Sequence, residues 1–214
     1  MGRKAKDKAR KNDPKRRTAL AAQLIPMLQQ RGLQGLTMDE LAQMLGKSKA
    51  TIYKYFRTRE ELFDLALTLK LERIRGFVPI LNDRERPYLE RYYEAIQHLS
   101  THLSDISNLF LRDLRDHFPA LWQKIEMLQD FAAMILRAYY AEGVEAGLLR
   151  DIHPGILVMS DRFLFQALSD PAFLEANDLR IHDAFEQYFQ MKFFGLVEAD
   201  ERQKNAESGN KMLN

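Results

Sequence analysis

Residues 37–62, TMDELAQMLGKSKATIYKYFRTREEL, decide the fold, because two helix starts and one helix stop can be read from them directly. Thr37 with Glu40, and Thr58 with Glu61, have the Thr-x-x-Glu spacing of a capping box. In such a box the hydroxyl accepts from a first-turn N–H, and the carboxylate reaches back to the N–H of the cap itself. Gly46 follows the apolar positions Leu41, Met44 and Leu45 and marks the stop. Ser48 then caps a second short helix whose inner face is Ile52 and Phe56, so the spacing predicts helix, glycine turn and helix, the second over residues 48–56. Two such short helices leave apolar faces uncovered, and a third helix is required to close the core.

That third helix lies upstream. Asp13 is placed to cap it, Pro14 suits its first position, and Leu20, Leu24 and Leu28 recur every four residues as far as Arg31-Gly32. Pro26 falls inside it and removes a backbone donor. The cost of about 3 kcal/mol for proline in a helix interior predicts a kink or an early break. Residues 2–17 hold nine Lys/Arg and two acids with almost no bulky apolar side chain, so 1–14 is expected to be a flexible basic arm. The formal net charge of +2 conceals a division: residues 1–75 carry +10 and residues 76–214 carry −8. Cations gathered at one end fit a polyanionic partner there and not elsewhere.

The outward side of the second short helix points to the same partner. It presents Lys47, Lys49, Thr51, Lys54 and Tyr55, with Arg57 and Arg59 just beyond. Cations and hydroxyls around a helix N-terminus suit phosphate anchoring and base-edge hydrogen bonding in a DNA major groove about 12 Å wide. The stretch also resembles the TetR/AcrR-type transcriptional regulators. The elements shared are Thr37, Leu41-Ala42, Gly46, Ser48, Tyr53-Lys54-Tyr55-Phe56, Arg59, Glu60-Glu61 and Leu62. It departs from the family pattern at Leu45, Lys47 and Arg59, where a small residue, an apolar residue and Lys are usual. The resemblance covers residues 15–75 strongly. AEGVEAGLLRDIHP at 141–154 and HFPALW at 117–122 resemble family segments loosely. It implies phosphate contacts from Thr37, Ser48, Tyr53, Tyr55 and Arg59, and base-facing positions at Lys49, Ala50, Thr51 and Lys54.

Downstream, Leu62, Ala66, Leu69 and Arg73 continue a helix from residue 58 towards a polar loop at 82–86. Leu89, Tyr92, Tyr93, Ile96, Leu99 and Leu103 form a helical stripe, and a shorter apolar segment surrounds Ile106, Leu109, Phe110 and Leu114. Pro119 opens a long helix to Gly147, and two more helices are expected over 154–169 and 178–194 with Asp170-Pro171 punctuating the gap. Residues 198–214 read as a loose tail. No period-2 alternation persists, so the expected class is all-α. The expected plan is an N-terminal helix-turn-helix DNA-binding domain over 15–75, the motif itself about 38–57, and a C-terminal helical bundle over 76–197 for effector binding and dimerisation.

Of 22 aromatic residues, 17 lie between Tyr88 and Phe194, more than a small helical core needs. Tyr92, Ile96, Phe110, Trp122, Phe131 and Tyr139 are candidates to line an effector pocket, although each read singly is more often core. Phe163, Leu164, Phe185 and Tyr188 are candidates to pair across a two-fold axis. His98 and His102 have a chelating spacing, but no third ligand is near in sequence and no metal or other cofactor is expected. Asp113, Asp116 and His117 read as a solvated helix end and not as an acid/base cluster, so no catalytic residue is assigned. With no cysteine there is no disulfide, thiolate metal site or Cys nucleophile. No signal peptide and no membrane-length apolar run is legible, which makes the cytoplasm the expected address. The expectation is a homodimeric DNA-binding regulator, a repressor, that reads a palindromic double-stranded operator and answers to a small apolar or aromatic effector. An architectural DNA-binding protein without effector and an all-α enzyme are the competing classes.

Overall fold

In the computed structural model, residues 13–196 are described, and all eleven of their elements are α-helices. The expected arm, apart from Asp13 and Pro14, and the expected tail lie outside the described residues.

The N-terminal helices form for the local reasons their sequence carries. Helix α1 (Pro14–Arg31) starts where Asp13 accepts from the Arg16 N–H, and it ends at Gly32, whose φ of 76° is left-handed. It runs through Pro26 without the expected break. Pro26 is exposed, so the carbonyl that loses its donor lies on the solvent side, while Leu24, Ile25 and Leu28 stay buried and hold the helix together. Helix α2 (Met38–Met44) carries a complete capping box between Thr37 and Glu40. Gly46, at φ 61°, turns the chain into α3 (Lys49–Tyr53), capped by Ser48. This helix is shorter than the expected 48–56, because its last residues close into a tighter turn: Tyr55 N–H and Phe56 N–H both donate to the Ile52 carbonyl.

Helix α4 (Arg59–Ile74) begins with Thr58 accepting from the Glu61 N–H, but the second half of its expected capping box is absent. The Glu61 carboxylate instead accepts from the Arg57 N–H at 2.7 Å and from the Arg17 guanidinium at 2.6 Å, which ties α4 to α1. Leu24, Leu41, Ile52, Phe56 and Leu62 are all fully buried and make the core of this half. It also takes Phe110, Leu114 and Leu121 from downstream helices, so it is not sealed by its own residues alone.

The remainder comprises α5 (Phe77–Asn82), α6 (Tyr88–Leu103), α7 (Asn108–His117), α8 (Pro119–Glu145), α9 (Pro154–Leu168), α10 (Pro171–Ala176) and α11 (Ile181–Leu196). Helix α10 occupies the expected gap between two longer elements, and α5 fills the stretch that leads from the helix expected after residue 58 to the polar loop at 82–86. Helix α11 starts later than expected because Asp178, at φ 51°, breaks the chain just before it.

Helix α7 is clasped to the end of α1. Asp113 accepts from the Leu33 N–H at 2.6 Å and the Gln34 N–H at 2.9 Å, and a Cβ at Gly32 would lie 2.4 Å from its Oδ2. Ser107 donates to the Gln29 carbonyl at 2.5 Å. The helix end expected to be solvated is therefore divided: Asp116 and His117 are exposed, whereas Asp113 is buried because two backbone donors of the α1–α2 loop need an acceptor.

Candidate DNA interface and internal cavity

Helix α3 hides one side and offers the other. Ile52 and Phe56 are fully buried, with the Arg17 guanidinium over the Phe56 ring at 4.9 Å. Lys47, Ser48, Lys49, Ala50, Tyr53 and Lys54 are exposed, while Thr51, Tyr55 and Arg59 are half-buried. The Ser48 and Thr51 hydroxyls share a hydrogen bond of 2.8 Å, and Thr37 and Glu40 bond reciprocally at the head of α2. Lys49 meets Asp39 at 2.7 Å, and that bond raises its pKa above the ordinary lysine value. Both partners are exposed, so the pair is screened by solvent and leaves Lys49 exchangeable for a phosphate. Arg59 is differently placed: it donates to the Leu36 carbonyl at 2.8 Å and to Glu60 at 2.8 Å, so its guanidinium braces α4 against the α1–α2 loop.

A cavity of about 120 Å³ lies between α4 and the downstream helices. Its wall is apolar, built by residues such as Leu67, Leu71, Ile74, Leu103, Leu128 and Phe185, and Lys70 is its one charged side chain. Of the six pocket residues expected from the sequence, only Phe110 lines it. Tyr92 and Tyr139 are buried in an aromatic cluster where Tyr139 stacks on Tyr88 at 4.2 Å, and Ile96 packs against that core. Trp122 packs between the two halves of the molecule, and Phe131 lies under the Arg75 guanidinium at 5.1 Å. Aromatic content located the core of the second half and not its void.

The residues expected at a two-fold axis also separate. Phe163 is 63% exposed, but Phe185 is 2% exposed, packed on Phe189 at 4.6 Å, and so cannot reach a partner. Leu164 is half-buried, and Tyr188 donates to Ser160 at 2.8 Å and Asp161 at 3.0 Å within its own chain. Four large hydrophobes not among those expected at the axis are also exposed, Ile156 and Met159 on α9, the helix of Phe163, and Met191 and Phe194 on α11. The i, i+3, i+7 spacing of 156, 159 and 163 was the available signal.

Two clusters of titratable groups stand out, a half-buried histidine pair and a buried ion pair. His98 Nε2 donates to the Arg73 carbonyl at the end of α4 at 2.8 Å, and its ring lies 4.5 Å from that of His102. Burial and the His98 ring lower the His102 pKa. Among the described residues no group of three or more His, Asp or Glu stands in metal-binding proximity. Asp161 on α9 is fully buried and pairs with Lys192 on α11, with Tyr140 donating to its other oxygen at 2.9 Å. Burial pushes the Asp161 carboxyl up and the Lys192 ammonium down, each against the pull of the other. Lys192, Tyr140 and Tyr188 occupy this carboxylate, and it does not border the cavity.

Residues 25–66, which include α2, α3 and the first half of α4, match the family model described as bacterial regulatory proteins, tetR family. That segment is a TetR-type helix-turn-helix region. The chain is 23% identical over 141 residues to the uncharacterized HTH-type transcriptional regulator YhgD of Bacillus subtilis (strain 168), covering 64% of this chain and 73% of that one. Its fold is similar to a TetR-family regulator of Marinobacter aquaeolei VT8, with TM-score 0.66 at 16% identity over 86% of this chain and 92% of that one. It is also similar to a TetR transcription regulator of Haloarcula marismortui, with TM-score 0.63 at 17% identity over 86% and 100%. A TetR-type DNA-binding head over residues 25–66 thus sits on an all-α body. Among its described residues no helix is long and apolar enough to cross a membrane.

Proposed function

We propose that the protein is a ligand-responsive repressor that binds a palindromic operator as a homodimer in the cytoplasm. Two copies of α3 enter successive major grooves roughly 34–36 Å apart, with Lys47, Lys49, Ala50, Thr51 and Lys54 towards the bases and Thr37, Ser48, Tyr53 and Tyr55 on phosphates. Arg59 joins the phosphate set by giving up Glu60 on contact. One observation carries the ligand-responsive part: α4 belongs to both halves. Its Leu62 and Phe63 are buried in the reading-head core, and one to three turns later its Leu67, Lys70, Leu71 and Ile74 wall the cavity. A molecule that enters the cavity and fits one tilt of α4 better than another changes the separation of the two α3 helices, and it shifts DNA affinity by that difference. Repression is the sign expected when an effector lowers DNA affinity.

The test is a footprint of the purified protein on its own upstream region, paired with thermal-shift screening against small apolar and aromatic compounds. The reading requires protection of two half-sites in dyad relation and at least one compound that both stabilises the protein and weakens the footprint. Equal protection of unrelated sequences would assign an architectural role instead.

A further inference from the structure

The cavity wall holds one charge, and that charge is unequally matched. Lys70, on α4, is 4% exposed, and among the described residues its one hydrogen-bond partner is Asp105, which lies in the loop before α7 and is 48% exposed. Taking the anion away from Lys70 leaves a buried cation without compensation, which is strongly unfavourable. Taking the cation away from Asp105 leaves a carboxylate that water already reaches, at little cost. Lys70 therefore requires an anion, but nothing requires that anion to be Asp105. The rest of the wall is hydrocarbon apart from Gln129 and Ser169, and those two are bonded to each other.

Resting on the reading that the cavity takes an effector, we infer that its ligand is a small monocarboxylate with a compact apolar body, whose carboxylate replaces Asp105 on Lys70. The volume of about 120 Å³ is a little below that of an engineered apolar cavity of roughly 150 Å³ that holds benzene. One aromatic ring or a chain of about six carbons fills it, so an arylcarboxylate or a short alkanoate fits and a long chain does not. The exchange has a consequence beyond binding. The Lys70–Asp105 pair ties α4 to the α6–α7 loop, and Ser107, two residues further on, holds Gln29 of α1. When the ligand takes Lys70, that loop loses its anchor on α4, and the grip of Ser107 on the reading head loosens with it. The ligand's charge, and not its bulk alone, is what the reading head senses.

The experiment uses the full chain and matched pairs of probes: benzoate against benzyl alcohol and hexanoate against hexanol, by calorimetry and by operator binding. The carboxylates are expected to bind about tenfold or more tightly than the alcohols, since a hydrogen bond to a buried charge is at stake. Lys70→Met is expected to abolish that preference while retaining the alcohols, and Asp105→Asn, which removes the competing anion, to strengthen carboxylate binding. Should Lys70→Met fail to fold, the ratio of acid to alcohol in the unmodified chain and the Asp105→Asn arm still decide. If alcohols bind as tightly as acids and weaken operator binding equally, the carboxylate assignment is overturned and the effector cavity stands. If neither acids nor alcohols bind and the operator complex is indifferent to all four, both are overturned.

Discussion

Lys47 and Lys54 make no ion pair among the described residues, so each can meet DNA without first leaving a protein partner. Lys54→Ala is therefore expected to lower operator affinity and to reduce the slope of log affinity against log salt by about one, with thermal stability unchanged. Fluorescence anisotropy at several salt concentrations measures both, and an unchanged slope would remove Lys54 from the interface. Buried charge behaves differently. Asp161 has no exposure and Lys192 only 8%, so Lys192→Met leaves a carboxylate stranded in the core and is expected to cost about 3–5 kcal/mol in urea unfolding. The double variant Asp161→Asn/Lys192→Met is expected to recover most of that loss. The pH response of the single variant has a definite sign. Without the Lys192 ammonium, only the Tyr140 and Tyr188 hydroxyls still oppose the effect of burial on the Asp161 carboxyl, and its pKa rises further. The folded state then holds a proton that the unfolded state gives up, so the variant loses stability as pH rises above the ordinary carboxylate range and regains it on acidification.

Elements whose signals are local were legible in the sequence, and elements decided by distant contacts were not. The capping residues Asp13, Thr37 and Ser48, and the stop at Gly46, each act within four residues of chain, and all four stand where the spacing placed them. Glu61 escaped because its partner Arg17 lies 44 residues away, and Asp113 because its donors lie about 80 away. Helices α5 and α10, six residues each and containing proline, are too short to show a period. The α1–α7 clasp gives a test at this scale. Asp113→Ala strands the Leu33 and Gln34 donors and is expected to cost about 1–3 kcal/mol. Hydrogen exchange at those two amides should quicken while exchange in the core of α8 does not, and unchanged protection would mean the clasp does not hold. The head of α2 offers another test. Hydrogen bonds from the Thr37 backbone and hydroxyl hold the Glu40 carboxylate below the usual range. The support it gives α2 is complete above the ordinary carboxylate value and is lost as pH falls through the lowered one. Thr37→Ala removes the hydroxyl but not the backbone donor, so carboxyl NMR titration should show Glu40 moving only part of the way back.

At the scale of the whole molecule, the proposed homodimer needs a face on which a second copy can sit. The sequence marked α9 and α11 as largely apolar but did not say which side of each turns outward, because Asp161 and Lys192, which would ordinarily mark a solvent face, are buried against each other. The structure orients them: Phe185 and Leu168 point into the fold, while Ile156, Met159 and Phe163 on α9 and Met191 and Phe194 on α11 are left to solvent. Scattered exposed hydrophobes are ordinary, but five large ones on two helices of the same half are what a stable interface of about 800 Å² per partner uses at its centre. Phe163→Glu, at 63% exposure, removes little from the monomer and places a charge at that centre. It is expected to shift sedimentation from dimer to monomer with the melting profile of the isolated fold retained. Because two linked half-sites bind with an avidity roughly 10²–10⁴ above one, operator affinity should fall by about that factor, whereas contact with a single half-site should not change. Lys54→Ala supplies the opposite pattern, a dimer whose every half-site is weakened. If Phe163→Glu stays dimeric and binds the operator normally, the axis runs through another face. The next candidate is then the exposed Met127 and Met134 stripe of α8, where Met134→Glu is the corresponding substitution.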